Sequence, residues 1–241
     1  MKQYDASTAL WNEVYTECEL TDLTDTTLTV EPTFDACLNV FAKNSRRVLD
    51  FGCGTGDILF QCADFGYLEY GMGVDRSETG ITYARQMAGL NHYRNLDYMV
   101  GDLSTFSQME EESFDGIIVS NVLDVVPKDV EQEMLTELTR LLKTNGLLFV
   151  KINPYATEEE LKAYGLTRFD EDLYEENGVL RLRNLHTKFW KNEFTKDYSI
   201  ERYLEFPYPW QEGMNRLFLL KKKQVMENAN PAPSVIWPFS A

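Results

Sequence analysis

Three glycines alternate along a short stretch of the chain, Gly52, Gly54 and Gly56, directly after the apolar run Val48-Leu49-Asp50-Phe51 and directly before Asp57. An apolar run entering such a turn is a buried strand that gives way to a helix. Glycines there let the backbone take dihedrals closed to other residues and come close to a bound molecule. A glycine-rich turn on its own is weak support for a ligand, because a tight strand-to-helix turn needs the same residues. Two acids sharpen it. Asp75 ends the next apolar run, about twenty residues beyond the glycines, where a carboxylate can accept hydrogen bonds from both hydroxyls of a ribose. Asp102 follows the third run, where its side chain can meet the exocyclic amine of an adenine. Either acid alone reads as a helix cap, as Asp75-Arg76-Ser77 does. Acids at consecutive strand ends after a glycine turn point to a nucleoside-bearing ligand.

The elements that must position these residues follow from the hydrophobic pattern. From Arg46 the chain alternates short apolar runs with amphipathic stretches, the pattern of βαβ units in a parallel sheet. Strands are expected at Arg47–Phe51, Tyr70–Asp75, Leu96–Gly101, Phe114–Ser120 and Gly146–Ile152, with helices at Asp57–Phe65, Glu78–Leu90 and Asp129–Lys143. Asn145-Gly146 is the expected stop signal of the last helix. Two helices are expected before the core, the second opening at Pro32, with the Thr- and Asp-rich segment from Leu20 to Val30 between them. After the fifth strand, Asp172–Tyr174 and Val179–Arg183 flank Glu176-Asn177-Gly178, and Asn-Gly between alternating segments signals a hairpin. A helix near Thr187–Lys196 and strands near Ile200–Phe206 and Arg216–Leu220 complete the sheet.

With these motifs in place, the sequence resembles the class I S-adenosylmethionine-dependent methyltransferases over roughly Arg46 to Ile152. The resemblance implies an α/β fold, a doubly wound, Rossmann-like, mostly parallel seven-stranded sheet with an antiparallel last strand, N-terminal helices and a hairpin insertion after the fifth strand. It also implies S-adenosyl-L-methionine as cofactor. Gly52, Cys53 and Gly54, with Asp50 before them, would hold the methionine moiety. Asp75, with Arg76 beside it, would bind the ribose, and Asp102 would contact the adenine with Leu103 flanking the ring. Asn121, after the fourth strand, would face the methionine end and the acceptor. The competing reading is a nicotinamide dehydrogenase, whose fingerprint needs G-x-G-x-x-G. Here Asp57 stands in the place of its third glycine, so a pyrophosphate would meet a carboxylate, which favours a positively charged sulfonium. An aminopropyl transferase uses a related cofactor, but no second acidic motif for a polyamine stands out.

On this reading the expected organisation is a single domain over residues 1–223, comprising an N-terminal helical lid (1–45), a cofactor-binding core (46–153), a substrate-region insertion (154–196) and final strands (197–223). An extended tail (224–241) follows. Methyl transfer from a sulfonium needs chiefly an acceptor held in line with the methyl carbon and water kept out. A base helps where the acceptor must lose a proton, and Asp124, Tyr155 and His186 are candidates, though His186 also fits a helix cap and Asp124 a surface position. The Asn-Pro-Pro-aromatic motif of nucleobase amino-methylases is absent after the fourth strand, where Ser120-Asn121-Val122-Leu123 stands. Asn153-Pro154-Tyr155 follows the fifth strand and reads as a strand exit. Tyr4 and Trp11 fit a lid over the cofactor, and Arg168, Arg181 or Arg183 could face an acidic acceptor. The two-residue period puts Arg181 and Arg183 on one face of the hairpin.

Bulk properties narrow the partners. The 241 residues carry 23 Lys and Arg against 39 Asp and Glu, a formal net charge of −16. That field repels polyanions, so a nucleic acid is disfavoured and a small-molecule acceptor leads. A protein or tRNA methylase, or a non-catalytic cofactor-binding sensor, is the alternative. Four cysteines without C-x-x-C spacing and no long apolar segment indicate a cytoplasmic protein that does not enter the membrane. With only His92 and His186, neither near a cysteine cluster, no metal site is expected. The sequence assigns no oligomeric state.

Overall fold

The apolar run Arg47–Phe51 forms β1 at the centre of a seven-stranded sheet, and its alternate residues enter two different cores. Val48 packs with one cluster and Leu49 with the other, both fully buried, as the two-residue period of a strand covered on both faces requires. The computed structural model describes residues 1–224, so the expected tail lies, from residue 225 on, outside the described residues.

Two helices precede β1: α1 (Lys2–Tyr15) and α2 (Pro32–Lys43). Glu31 caps α2 by accepting from the N–H groups of Thr33 and Phe34, and Pro32 sits at the first helical position where no donor is lost. The core then runs α3 (Asp57–Asp64), β2 (Tyr70–Asp75), α4 (Glu78–Leu90), β3 (Leu96–Val100), α5 (Leu103–Phe106), β4 (Phe114–Ser120), a 3-10 turn (Leu123–Val125), α6 (Lys128–Leu141) and β5 (Leu142–Ile152). Next come α7 (Glu158–Ala163), β6 (Thr167–Arg168), β7 (Leu173–Glu176), β8 (Val179–Arg183), α8 (Thr187–Phe194), β9 (Tyr198–Tyr208) and β10 (Gln211–Lys222).

The strand order is β3-β2-β1-β4-β5-β10-β9, with β10 antiparallel to both neighbours. The last strand in sequence is therefore not at the edge; it slots between β5 and β9. Helices α2, α3 and α4 cover one face with Val48, Ile118, Phe149 and Leu219, while α6 and α8 cover the other with Leu49, Val119, Val150 and Phe218. This is the doubly wound architecture expected from the alternation of elements. Strand β5 begins four residues earlier than Gly146. Asn145 takes a left-handed φ of 65°, and Leu142 already pairs with Phe114, so Asn145-Gly146 marks an irregularity inside the strand and not the end of α6.

The segment after β5 folds into a separate three-stranded sheet, β6-β7-β8, whose tight turn has Asn177 at φ 53° and Gly178 at 79°. Both central residues are left-handed, which matches the twist of a two-residue hairpin. Helix α1 packs against β8 and α4, and so roofs the carboxyl ends of the parallel strands. No helix among the described residues is long and apolar enough to cross a membrane.

Candidate active site

The glycine turn is tied to the end of β2 at several points. The N–H groups of Gly52 and Cys53 donate to the Val74 carbonyl at 2.8 and 3.2 Å. The Asp75 carboxylate accepts from Gly54 N–H at 2.9 Å with one oxygen and from Ser77 N–H at 2.7 Å with the other. Gly56 caps α3 at φ 86°, and a Cβ there would come within 2.7 Å of the buried Tyr98 ring, so both backbone and packing demand glycine.

Three carboxylates surround this turn. Asp50 at the end of β1 is 1% exposed, and its Oδ2 has no hydrogen-bond partner. Burial first, then the charges of Asp75 and Asp57, push its carboxyl well above the usual range. Burial also raises Asp75, against the opposing N–H bonds of Ser77 and Gly54. Asp57, the first residue of α3, accepts from the Thr55 hydroxyl at 2.6 Å.

Helix α1 closes over these groups although none of its residues is buried. Asn12 Oδ1 accepts from the Ser77 hydroxyl at 2.7 Å and from Thr79 N–H at 3.3 Å. The Arg76 guanidinium lies 4.4 Å from the centre of the Tyr4 ring, and Tyr15 packs on Gly54 and Gly80. Trp11 stacks on Tyr15 and lines the cleft beneath.

Beyond the glycine turn the carboxyl ends of β4 and β5 form the floor. Asn121 has a left-handed φ of 57°, donates its N–H to the Lys151 carbonyl at 2.9 Å, and accepts from the Lys151 ammonium on Oδ1 at 2.6 Å. Lys151 is 1% exposed, and burial lowers its pKa to about 8 despite the nearby Asp124 charge. Asn153 is clamped through its main chain: its N–H donates to Asp124 Oδ2 at 2.7 Å, and its carbonyl accepts from two nitrogens of Arg216 at 2.9 and 2.7 Å.

One cleft of about 890 Å³ connects these regions. That lies in the upper part of the range of about 300–1,000 Å³ for small-ligand sites, with room for two bound molecules side by side. Asp50, Gly52, Cys53, Gly54, Asp75, Arg76 and Asn121 all line it, as does Tyr155. Among the remaining cofactor-binding and catalytic candidates, Asp102, Leu103, Asp124 and His186 do not. Asp102 is exposed at the start of α5, where its Oδ1 accepts from the N–H and hydroxyl of Ser104. The Ser104 hydroxyl, chiefly, holds its carboxyl below the usual range. Leu103 beside it packs partly into the core.

Two of the catalytic candidates lie outside the cleft lining. Asp124 is no surface residue: it is fully buried beneath Asn153, away from the cleft lining, because the 3-10 turn folds it under β5. His186 precedes α8 without a side-chain cap and instead stacks under Tyr155, ring centres 3.9 Å apart. The arginines separate too. Arg183 is buried between Glu131 and Asp172, whereas Arg181 lines the cleft near Glu176, so the two do not share an acceptor-facing surface. Tyr174 pairs with Leu182 and Glu175 with Leu180, so Arg181 is an extra residue within β8, and this bulge breaks the strict alternation. Arg168 donates to the carbonyls of Asp170 and Glu171 and stays outside the cleft. Sequence reasoning missed Lys151, whose only signal is a charge inside the apolar run of β5.

The site fits a ligand that brings hydroxyls and positive charge. Each oxygen of Asp75 keeps a second lone pair, and the buried Asp50 oxygen without a partner awaits a donor. Among the described residues no cluster of His, Cys, Asp and Glu could hold a metal.

Comparison with known proteins agrees with this geometry. The family described as "Methyltransferase domain" matches residues 42–200. The chain is 32% identical over 109 residues to the ubiquinone biosynthesis O-methyltransferase of Glaesserella parasuis, covering 44% of each. It spans less than half the length of the curated relatives it matches, 46% and 42% for two of them. Among solved structures it is similar to the 1,6-didemethyltoxoflavin-N1-methyltransferase of Burkholderia thailandensis, with a TM-score of 0.67, 14% identity, and coverage of 91% of this chain and 85% of the other. The N-methyltransferase NodS of Bradyrhizobium japonicum in complex with S-adenosyl-L-homocysteine gives a TM-score of 0.62 at 14% identity, covering 93% and 100%. At these identities the structural likeness is one of fold.

Proposed function

The chain belongs to the class I S-adenosylmethionine-dependent methyltransferases, and on that premise we propose that it transfers the methyl group of S-adenosyl-L-methionine to a small-molecule acceptor by in-line displacement. The observation that carries the proposal is the Asp75 carboxylate, fixed by Gly54 and Ser77 N–H groups on the wall of a cleft that is also lined by Asn121, Tyr155 and Trp210.

When bound, the cofactor would supply a methyl group activated on a positively charged sulfonium, ready for direct displacement by an acceptor's lone pair. The chain's own residues bind and orient. Asp75 accepts the ribose hydroxyls on its free lone pairs, with Arg76 and Tyr4 beside it. Asp50 offers its unpaired oxygen to the ammonium of the methionine moiety, and the main chain of Gly52, Cys53 and Gly54 lines the approach. Asp102 lies just outside the cleft lining, next to Gly101, which lines it, and its Oδ2 would be left for the adenine amine at the rim, since Oδ1 is taken by Ser104, with Leu103 beside the ring. Asn121 lines the cleft with its amide oxygen held by Lys151, leaving its NH₂ to donate. Of the three base candidates only Tyr155 lines the cleft.

The roof formed by α1 favours a small acceptor, because a folded protein or RNA would have to displace it. The net charge of −16 works against RNA. The names of two of the enzymes above refer to small molecules, ubiquinone biosynthesis in one and 1,6-didemethyltoxoflavin in the other, which supports this reading. Free thiols at all four cysteines suit a reducing cytoplasm. The test is tritium transfer from labelled cofactor into cell extract, fractionated into small molecules, protein and RNA. Label in the small-molecule fraction is expected, and label confined to protein or RNA would sink the acceptor assignment.

A further inference from the structure

The acceptor chamber, on the reading above, carries an unusual set of bare rings. Tyr155, Tyr164 and Trp210 are 40%, 44% and 71% exposed, and all three line the cleft. They come from three segments: the exit of β5, the residue after α7, and the tip of the β9–β10 hairpin. Two have a second ring behind them. Tyr155 stacks on His186 at 3.9 Å and 23°, and Trp210 stacks on Tyr208 at 4.6 Å and 13°. The hairpin tip is fastened across the mouth, where the Tyr164 hydroxyl donates to Glu212 at 2.9 Å and Gly213 packs on Pro154. Exposed apolar side chains gathered around one concavity mark a binding surface, and a ring backed by another ring loses little freedom when a ligand stacks on it.

Charge selects what stacks there. Glu160, Glu176 and Glu212 line the same chamber, and Arg181, 3.6 Å from Glu176, offsets one of them. Glu160 keeps its charge, since hydrogen bonds from Thr157 hold its carboxyl below the usual range. Ring faces are themselves negative at the centre, so rings and carboxylates act in the same direction. We infer that the chamber formed by Tyr155, Tyr164 and Trp210 is a subsite for a flat aromatic acceptor whose ring carries positive charge. Rings supply shape selection and acids supply sign selection, so a flat anion and a non-planar cation each lose one of the two.

Calorimetric titration of the full chain with three probes tests this, with and without saturating S-adenosylhomocysteine. The probes are 1-methylquinolinium, a flat cation; 2-naphthoate, a flat anion of similar size; and tetramethylammonium, a cation without a ring. The expected result is that 1-methylquinolinium binds at least about tenfold more tightly than the other two. Trp210→Ala should weaken it about tenfold, and Glu212→Gln should weaken it several-fold, both with unchanged S-adenosylhomocysteine affinity and thermal midpoint. Trp210 is largely exposed, so its removal spares the fold. Equal or tighter binding of 2-naphthoate, no binding of 1-methylquinolinium, or no effect of Trp210→Ala would overturn the subsite. Failure of S-adenosylhomocysteine to bind would overturn the cofactor reading instead, and the order of the three probes without it still decides the subsite.

Discussion

Asp75 and Gly54 are joined by a hydrogen bond of 2.9 Å from the glycine N–H to one carboxylate oxygen, while Ser77 N–H fills the other at 2.7 Å. The bond makes the second strand end the anchor of the glycine turn, so a group that addresses a ligand also shapes the loop beside it. Asp75→Ala is therefore expected to weaken S-adenosylhomocysteine binding by about 1–3 kcal/mol, because ribose hydroxyls and Gly54 N–H lose a charged acceptor. Calorimetry checks the affinity and circular dichroism the fold; unchanged affinity in a folded variant would leave Asp75 as a turn cap alone.

Asp57 opens α3 where a dinucleotide phosphate would need to sit. A thermal shift assay should show stabilisation by S-adenosylhomocysteine and none by micromolar NAD. Stabilisation by NAD alone would refute the cofactor assignment.

Lys151 supplies a pH signature. Burial lowers its pKa from 10.5 to about 8, so between those values the unfolded chain binds the proton that the folded chain has released, and stability rises with pH. Below 8 both states are protonated and the cost of the buried ammonium is full. The thermal midpoint of the native protein should thus rise relative to that of Lys151→Met from pH 8 toward 10. Parallel profiles would show that the fold does not lower the Lys151 pKa.

The two hairpin arginines should part company. Arg183 is buried, as is Glu131, so Arg183→Ala leaves an uncompensated carboxylate and is expected to cost about 3–5 kcal/mol in urea unfolding. Arg181 is partly exposed near Glu176 at 3.6 Å, and Arg181→Ala should change stability by less than about 1 kcal/mol. Similar losses at both positions would contradict the separate environments seen here.

The alternation of apolar runs, the glycines at 52, 54 and 56 and the acid at 75 were legible in sequence because each is a local rule. A strand buried on both faces must be apolar, a left-handed turn wants glycine, and an acid at a strand end faces the crevice of an open sheet. What sits on top of a residue is not a local matter. Asp124 reads as a loop acid until β5 folds over it, and Arg183 reads as half of an acceptor clamp until Glu131, 52 residues away in sequence, claims it. Lys151 is a charge out of place in a strand until Asn121 gives it a partner, and Trp210 looks like one more packing aromatic until the hairpin holds it over the cleft. Period and composition specify which side of an element faces inward. Which distant side chain meets it there, and so whether a carboxylate becomes a ligand, a cap or a buried brace, depends on burial and pairing that only the packed chain provides.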